Sequence, residues 1–248
     1  MRLAGIDLAW KSDRNPSVAA FGDLEGSILT LNRIETNLRG LDIMKSLFEE
    51  EKDVVGVAID GPLIIPNMTG QRACERELTR DYIRFGVGCH STNLHLYPEA
   101  GSTELSAYLE DKGFKHLGRV RDGKFQIECY PHPSLIEIFG LSERLRYKKG
   151  TLLQKKEGQV KLTQYLQELR KSRFVSLFMQ PRLSRYFDNA YIGELHGMSL
   201  KQNEDILDAI VCLYVSAMYA RQLPYRVYGL QREGYIYVPN QRCVITDS

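Results

Sequence analysis

The chain has 248 residues, of which 43% are apolar and 26% charged, with a net charge of +2; this excludes disordered, collagen-like and strongly polybasic classes. No run approaches the roughly 20 apolar residues that span a bilayer, and the N-terminus opens on a strand pattern, so a cytoplasmic protein with no membrane partner is expected. Cys74, Cys89, Cys129, Cys212 and Cys243 are scattered without a CxxC pair and read as reduced thiols rather than a disulfide framework or a zinc site.

Leu3 to Ala9 reads as a buried strand, and Asp7 stands inside it where a strand wants an apolar side chain. Val18 to Asp23 and Ser27 to Ile34 flank Leu24-Glu25-Gly26 and read as a hairpin, so three antiparallel strands open the chain. Leu38 to Phe48 has helical spacing, and Val54 to Ile59 is a short apolar strand ended by Asp60-Gly61-Pro62. Gln71 to Phe85 and Ser102 to Lys112 are predicted helices. Phe125 to Tyr130 returns to strand character, with Glu128 inside it, and is expected to stop at Pro131 and Pro133. Thr151 to Phe178 reads as helical, and Asn203 to Tyr219 as an amphipathic helix whose Ile206, Ala209, Ile210, Leu213 and Ala217 dock on the sheet. Arg226 to Leu230 and Tyr235 to Val238 close the chain as a hairpin.

This order predicts one α/β domain over residues 1–248, a mixed five-stranded sheet flanked by helices, with a mostly helical insertion around 142–200 and a C-terminal hairpin. The insertion is basic: ten Lys/Arg against three Asp/Glu from Ser142 to Arg173, a surplus of +7 that leaves −5 elsewhere. Such a stretch is either a solvated helix face or a phosphate contact.

Four acids carry the chemical argument. Asp7 lies on the first strand, Asp60 closes the fourth, and Asp205 and Asp208, three residues apart, share one face of the late helix. Carboxylates so gathered repel one another, and a hard divalent cation, Mg2+ or Mn2+, resolves the cost; two such ions clamp the attacking and leaving oxygens of a phosphoryl displacement. Separately, each acid has a plainer reading as a turn former or as a complement to a helix dipole.

The blocks Gly5-Ile6-Asp7-Leu8-Ala9-Trp10, Ala58-Ile59-Asp60-Gly61-Pro62-Leu63, Glu128-Cys129-Tyr130-Pro131-His132-Pro133, Tyr147-Lys148 and Asn203-Glu204-Asp205-Ile206-Leu207-Asp208-Ala209 cover nearly the whole chain. In this order they resemble a domain family of unknown function whose members are predicted ribonuclease H-like nucleases, distantly similar to Holliday-junction resolvases. The resemblance implies a ribonuclease H-like fold with Asp7, Asp60, Asp205 and Asp208 as metal ligands. Resolvases usually carry Glu where this chain has Asp60, one methylene shorter. Glu128 and His132 are added as catalytic candidates, His132 either delivering a proton to the leaving oxygen or merely bonding within a turn.

Arg72, Arg76, Arg80 and Arg84 recur every four residues among Glu75, Glu77 and Asp81; Arg72 and Arg76 are candidate phosphate contacts, with intrahelical pairing as the alternative. Tyr147 and Lys148 are further substrate candidates, Trp10 either stacks on a base or covers the sheet, and Gly86 to His90 reads as a plain loop. The expectation is a metal-dependent nuclease acting on DNA or RNA. A non-catalytic nucleic-acid-binding module and an actin-like ATPase or phosphotransferase are the alternatives. No feature of the sequence identifies a dimer face.

Overall fold

The computed structural model describes residues 1–11 and 15–243. Strands β1 (Arg2–Asp7), β2 (Ser17–Glu25) and β3 (Ile28–Leu38) form the antiparallel meander that the sequence predicts. Gly26 opens the β2–β3 turn at φ 59°, a left-handed conformation that glycine adopts without steric cost. Helix α1 (Leu41–Glu50) returns the chain to β4 (Val54–Asp60), which lies parallel to β1.

Helices α2 (Ala73–Tyr82) and α3 (Gly101–Asp111) follow, then β5 (Phe114–His116), β6 (Lys124–Cys129) and α4 (Pro131–Phe139). Next come α5 (Leu152–Glu168), β7 (Ser176–Met179), α6 (Asn189–Glu194) and the long α7 (Gly197–Ala220). The predicted closing hairpin is β8 (Tyr225–Leu230) with β9 (Gly234–Pro239).

The sheet is mixed, as predicted, but among the described residues it has nine strands rather than five, in the order β7-β3-β2-β1-β4-β6-β9-β8 with β5 against β6. The additions have physical reasons. β5 and β7 span only three and four residues, too few to display a period of two, and β7 ends a stretch otherwise dominated by helical spacing. β7 extends the sheet by pairing parallel to β3, so the segment around 142–200 is mostly helical but also supplies an edge strand. The C-terminal hairpin joins the same sheet where Tyr237 pairs with Cys129.

As expected, β6 ends before Pro131, but the proline does more than stop a strand. It opens α4, since a proline at the first helical position lacks only an N–H that would have no partner there.

The faces of the sheet follow from the alternation of side chains along each strand. Ala4 and Ile6 of β1, with Val57 and Ile59 of β4, pack against Met44, Leu47 and Phe48 of α1 and Leu105 and Leu109 of α3. Leu3 and Ala58 belong to the opposite face, where α7 lies across β1, β2 and β4. Every residue of α7 from Asn203 to Tyr219 is buried, because α4 and α5 cover the side turned away from the sheet. The helix is thus enclosed all round, not amphipathic with one solvated face. The five cysteines are free thiols, with Cys129 Sγ 3.4 Å from Cys212 Sγ where β6 meets α7.

At Gly5 the backbone of α7 approaches β1 directly: a Cβ there would lie 1.9 Å from Leu213 N and 2.4 Å from Ala209 O. Backbone atoms in the middle of a buried helix cannot swing aside, so overpacking should cost at least the usual ~1–3 kcal/mol. Gly5→Ala is therefore expected to lower Tm, by roughly 2–4 °C for each kcal/mol lost in a chain of this size. An unchanged Tm in a thermal melt would contradict the close docking of α7.

Candidate metal centre

Parallel pairing sets Asp7 opposite Asp60 at the C-terminal ends of β1 and β4. Both lie in phase with Gly5 and Ala58 on the face covered by α7, so the two carboxylates point toward the helix. The register at Gly5 then brings Asp208 down beside them. Asp7, Asp60 and Asp208 each offer a carboxylate oxygen, and these oxygens lie within 4.8 Å of one another.

Burial and mutual repulsion mark the cluster. Asp7 is held well above the usual carboxylate range, by desolvation first and then by the charges of Asp208 and Asp60. Asp60 is pushed up to about 7, mainly by burial, with Lys148 acting in the opposite direction and Asp208 adding to the rise. Asp208 is fully buried, and the Tyr147 hydroxyl donates to its Oδ1 at 2.7 Å. Its Oδ2 meets the Lys148 ammonium at 2.5 Å yet accepts no aligned hydrogen bond. Lys148 Nζ also lies 4.0 Å from Asp60 Oδ2. Burial opposes the Lys148 charge, but Asp208, Tyr147 and Asp60 outweigh it and hold the lysine above its ordinary pKa.

An all-oxygen set of three converging carboxylates suits a hard divalent cation. Mg2+ or Mn2+ therefore fits the residues present.

The other expected site residues lie outside the converging group. Asp205 lines a second cleft together with Asp7, whose pKa its charge helps to raise, but it is paired with Lys201, which also takes Glu204 at 2.8 Å. Asp205 and Asp208 both lie well inside α7, which begins at Gly197, so the helix-dipole reading of this pair does not hold.

Glu128 pairs in register with Ile59, not with Asp60, and so leaves β6 on the opposite face from Asp60. There it accepts from both terminal nitrogens of Arg72, at 2.9 and 2.6 Å, and from Leu63 N at 2.8 Å. It is a paired acid rather than the unpaired one its strand position suggested. Arg72 also binds Glu75 and is itself buried, held charged against desolvation by Glu128, so it is not available for a phosphate. Arg76 is exposed and donates to Gln71 O, and Arg80 pairs with Asp81; the arginines form no stripe facing the acids.

His132 lies in the first turn of α4 and packs on the Tyr147 ring at 5.2 Å. Burial, reinforced by Lys148, lowers its pKa to about 3, so the ring is neutral near pH 7 and carries no spare proton for a leaving group. Its Nδ1 is buried and unpartnered. Tyr147 is fully buried and serves Asp208 rather than a substrate.

A cleft of about 540 Å3 opens beside Asp60, lined by His132, Trp10, Lys11, Arg144, Lys148 and Lys149 among others. Lys11, Arg144 and Lys149 have no acid within ion-pair distance among the described residues, which leaves a cationic rim beside the acids. Trp10 stands edge-on to Tyr97 at 4.7 Å and covers Gly61. The sequence reading missed Arg144, Lys149 and Lys11 as site residues; the only signal for the first two was the basic surplus that begins after Ser142.

An acid whose pKa is higher folded than unfolded holds an extra proton in the folded state between the two values, so its contribution is full below the unfolded value near 3.9 and is lost as pH rises through the folded value. For Asp60 this places the loss between about 4 and about 7. Buried neutral His132 acts in the opposite sense below about 6.5, so the difference between parent and variant isolates Asp60. In melts without divalent ions, Asp60→Asn is expected to gain stability relative to the parent from pH 5 to pH 8, and Mg2+ to restore the parent at pH 8; a difference in Tm that does not change with pH, or an Asp60→Asn protein less stable than the parent at pH 8, would contradict the repulsion described.

No curated protein and no solved structure matches the chain. A family model described as "Protein of unknown function (DUF429)" matches residues 5–230, from β1 through β8, and so includes all three converging aspartates. The chain belongs to the DUF429 family of proteins of unknown function.

Proposed function

We propose that this protein is a divalent-metal-dependent hydrolase that cuts phosphodiester bonds in DNA or RNA on a ribonuclease H-like frame. The observation that carries the reading is the convergence of Asp7, Asp60 and Asp208 from β1, β4 and α7 at the C-terminal edge of the parallel strands. The frame is supported by the order of the core: an antiparallel meander, a helix, then β4 and β6 parallel to β1. A module that only bound phosphates would gain nothing from three buried carboxylates, whereas a hydrolase needs them.

Bound there, Mg2+ or Mn2+ supplies Lewis-acid stabilisation of a phosphoryl oxygen and lowers the pKa of water. The chain's own groups do the rest. Asp7, Asp60 and Asp208 hold the ion, and Tyr147 fixes the rotamer of Asp208 through its hydroxyl. Arg144, Lys149 and Lys11 face the cleft and attract the phosphate backbone. Neutral His132 accepts or orients rather than donates as an imidazolium. Trp10 offers an aromatic surface next to Asp60 for a base at the reacting nucleotide. The Arg72–Glu128 pair is scaffold: Glu128 ties down Leu63 and Arg72 ties down Ile64, which fixes the loop that follows Asp60.

The purified protein should be incubated with Mn2+ and a panel of single-stranded, duplex and branched DNA and RNA. Cleavage of at least one member is expected, abolished by chelation. Asp7→Asn and Asp208→Asn should each reduce the rate by at least about 100-fold, as loss of several kcal/mol of transition-state charge stabilisation requires. No cleavage across the panel, or equal cleavage by Asp7→Asn, would overturn the proposal.

A further inference from the structure

We infer that the carboxylate trio takes one divalent cation, and that the Lys148 ammonium fills the place a second would occupy. The inference rests on reading the trio as a metal centre, and it departs from the two-ion arrangement expected from the sequence.

Lys148 belongs to the segment between α4 and α5 and directly follows Tyr147. Tyr147 is buried with its hydroxyl on Asp208 Oδ1, which fixes the point from which the next side chain leaves the backbone. The ammonium lies between acids from two elements, 2.5 Å from Asp208 Oδ2 and 4.0 Å from Asp60 Oδ2. It makes no ion pair with Asp7, so the unshared side of the trio is the side of β1. The lysine is not a surface charge that fell inward: its side chain is 23% exposed, and its ammonium contacts an aspartate side chain that is 1% exposed.

Charge bookkeeping points the same way. Three carboxylates and one ammonium leave a net charge of −2, which one divalent cation neutralises; two would leave +2 before any substrate arrived. A second observation concerns the remaining acids of α7. Asp205, the fourth acid of the expected set, is occupied by Lys201, as is Glu204. Each acid of α7 near the trio thus already has a lysine of this chain beside it, Lys148 at Asp208 and Lys201 at Asp205 and Glu204. A compact ammonium is a point charge suited to a phosphate oxygen. At this position Lys148 supplies a fixed positive charge that does not depend on metal concentration.

The test counts ions on the full-length protein, with Mn2+ as the probe, by calorimetric titration and by electron paramagnetic resonance of the bound ion. The parent protein should bind one Mn2+ per chain with the spectrum of an isolated ion, and Asp7→Asn should abolish that binding. Lys148→Met keeps the stem but removes the charge; it should bind a second ion, giving a spin-coupled pair, or hold one at least tenfold more tightly. Lys148→Arg keeps the charge and should stay at one ion. Two spin-coupled ions in the parent, or a Lys148→Met protein identical to the parent in both count and affinity, would overturn the inference and leave the metal centre intact. If the parent bound no Mn2+ removable by Asp7→Asn, the metal centre itself would fall, and the inference with it. The circular dichroism spectrum of each variant verifies that it is folded.

Discussion

The backbone of α7 lies against β1 at Gly5 with no space for even a methyl group between them. That contact fixes the height of the helix above the sheet, and three residues of helix advance by about 4.5 Å, roughly the distance between adjacent strands. With Ala209 and Leu213 pressed on Gly5, Asp208 lies at the end of β1 where Asp7 emerges. The parallel pairing of β1 with β4 supplies Asp60 at the same level. A side chain at Gly5 would push the helix away and separate acids that no loop movement could bring together again.

Gathering three carboxylates in a buried place opposes folding, and the structure meets that cost locally. Lys148 and the Tyr147 hydroxyl each contact Asp208, and the same segment presents Arg144 and Lys149 to the cleft. The residue that offsets the charge and two of the cations lining the cleft thus come from one stretch of chain between α4 and α5. Below them the buried Arg72–Glu128 pair is a separate structure with a separate role. Breaking a buried ion pair by removing one partner leaves an uncompensated charge, a loss of about 3–5 kcal/mol in comparable cases. Altering Glu128 would therefore disturb the folding of the loop after Asp60.

Much of this was legible in the sequence because local pattern and burial agree there. The meander, β4, β6, α7 and the final hairpin announce themselves by period and by turn residues, and Asp7 betrays the site as an acid in an apolar strand. Asp60 and Asp208 follow from the same logic. What failed depended on tertiary partners. An acid in a strand looks unpaired until Arg72 arrives from a distant helix, and Asp205 looks like the equal of Asp208 until Lys201, one turn earlier, claims it. β5 and β7 are too short to carry a period, and α4 begins at a proline that usually signals a stop. Lys148 reads as a substrate contact at the start of a basic run; only the fold shows its ammonium against Asp208.

The most direct test of the central claim is a crystal of the protein soaked in Mn2+ and measured near the manganese absorption edge. An anomalous peak bonded to oxygens of Asp7, Asp60 and Asp208 is expected. A map with no peak among these three carboxylates, or with manganese bound only at another place, would contradict it.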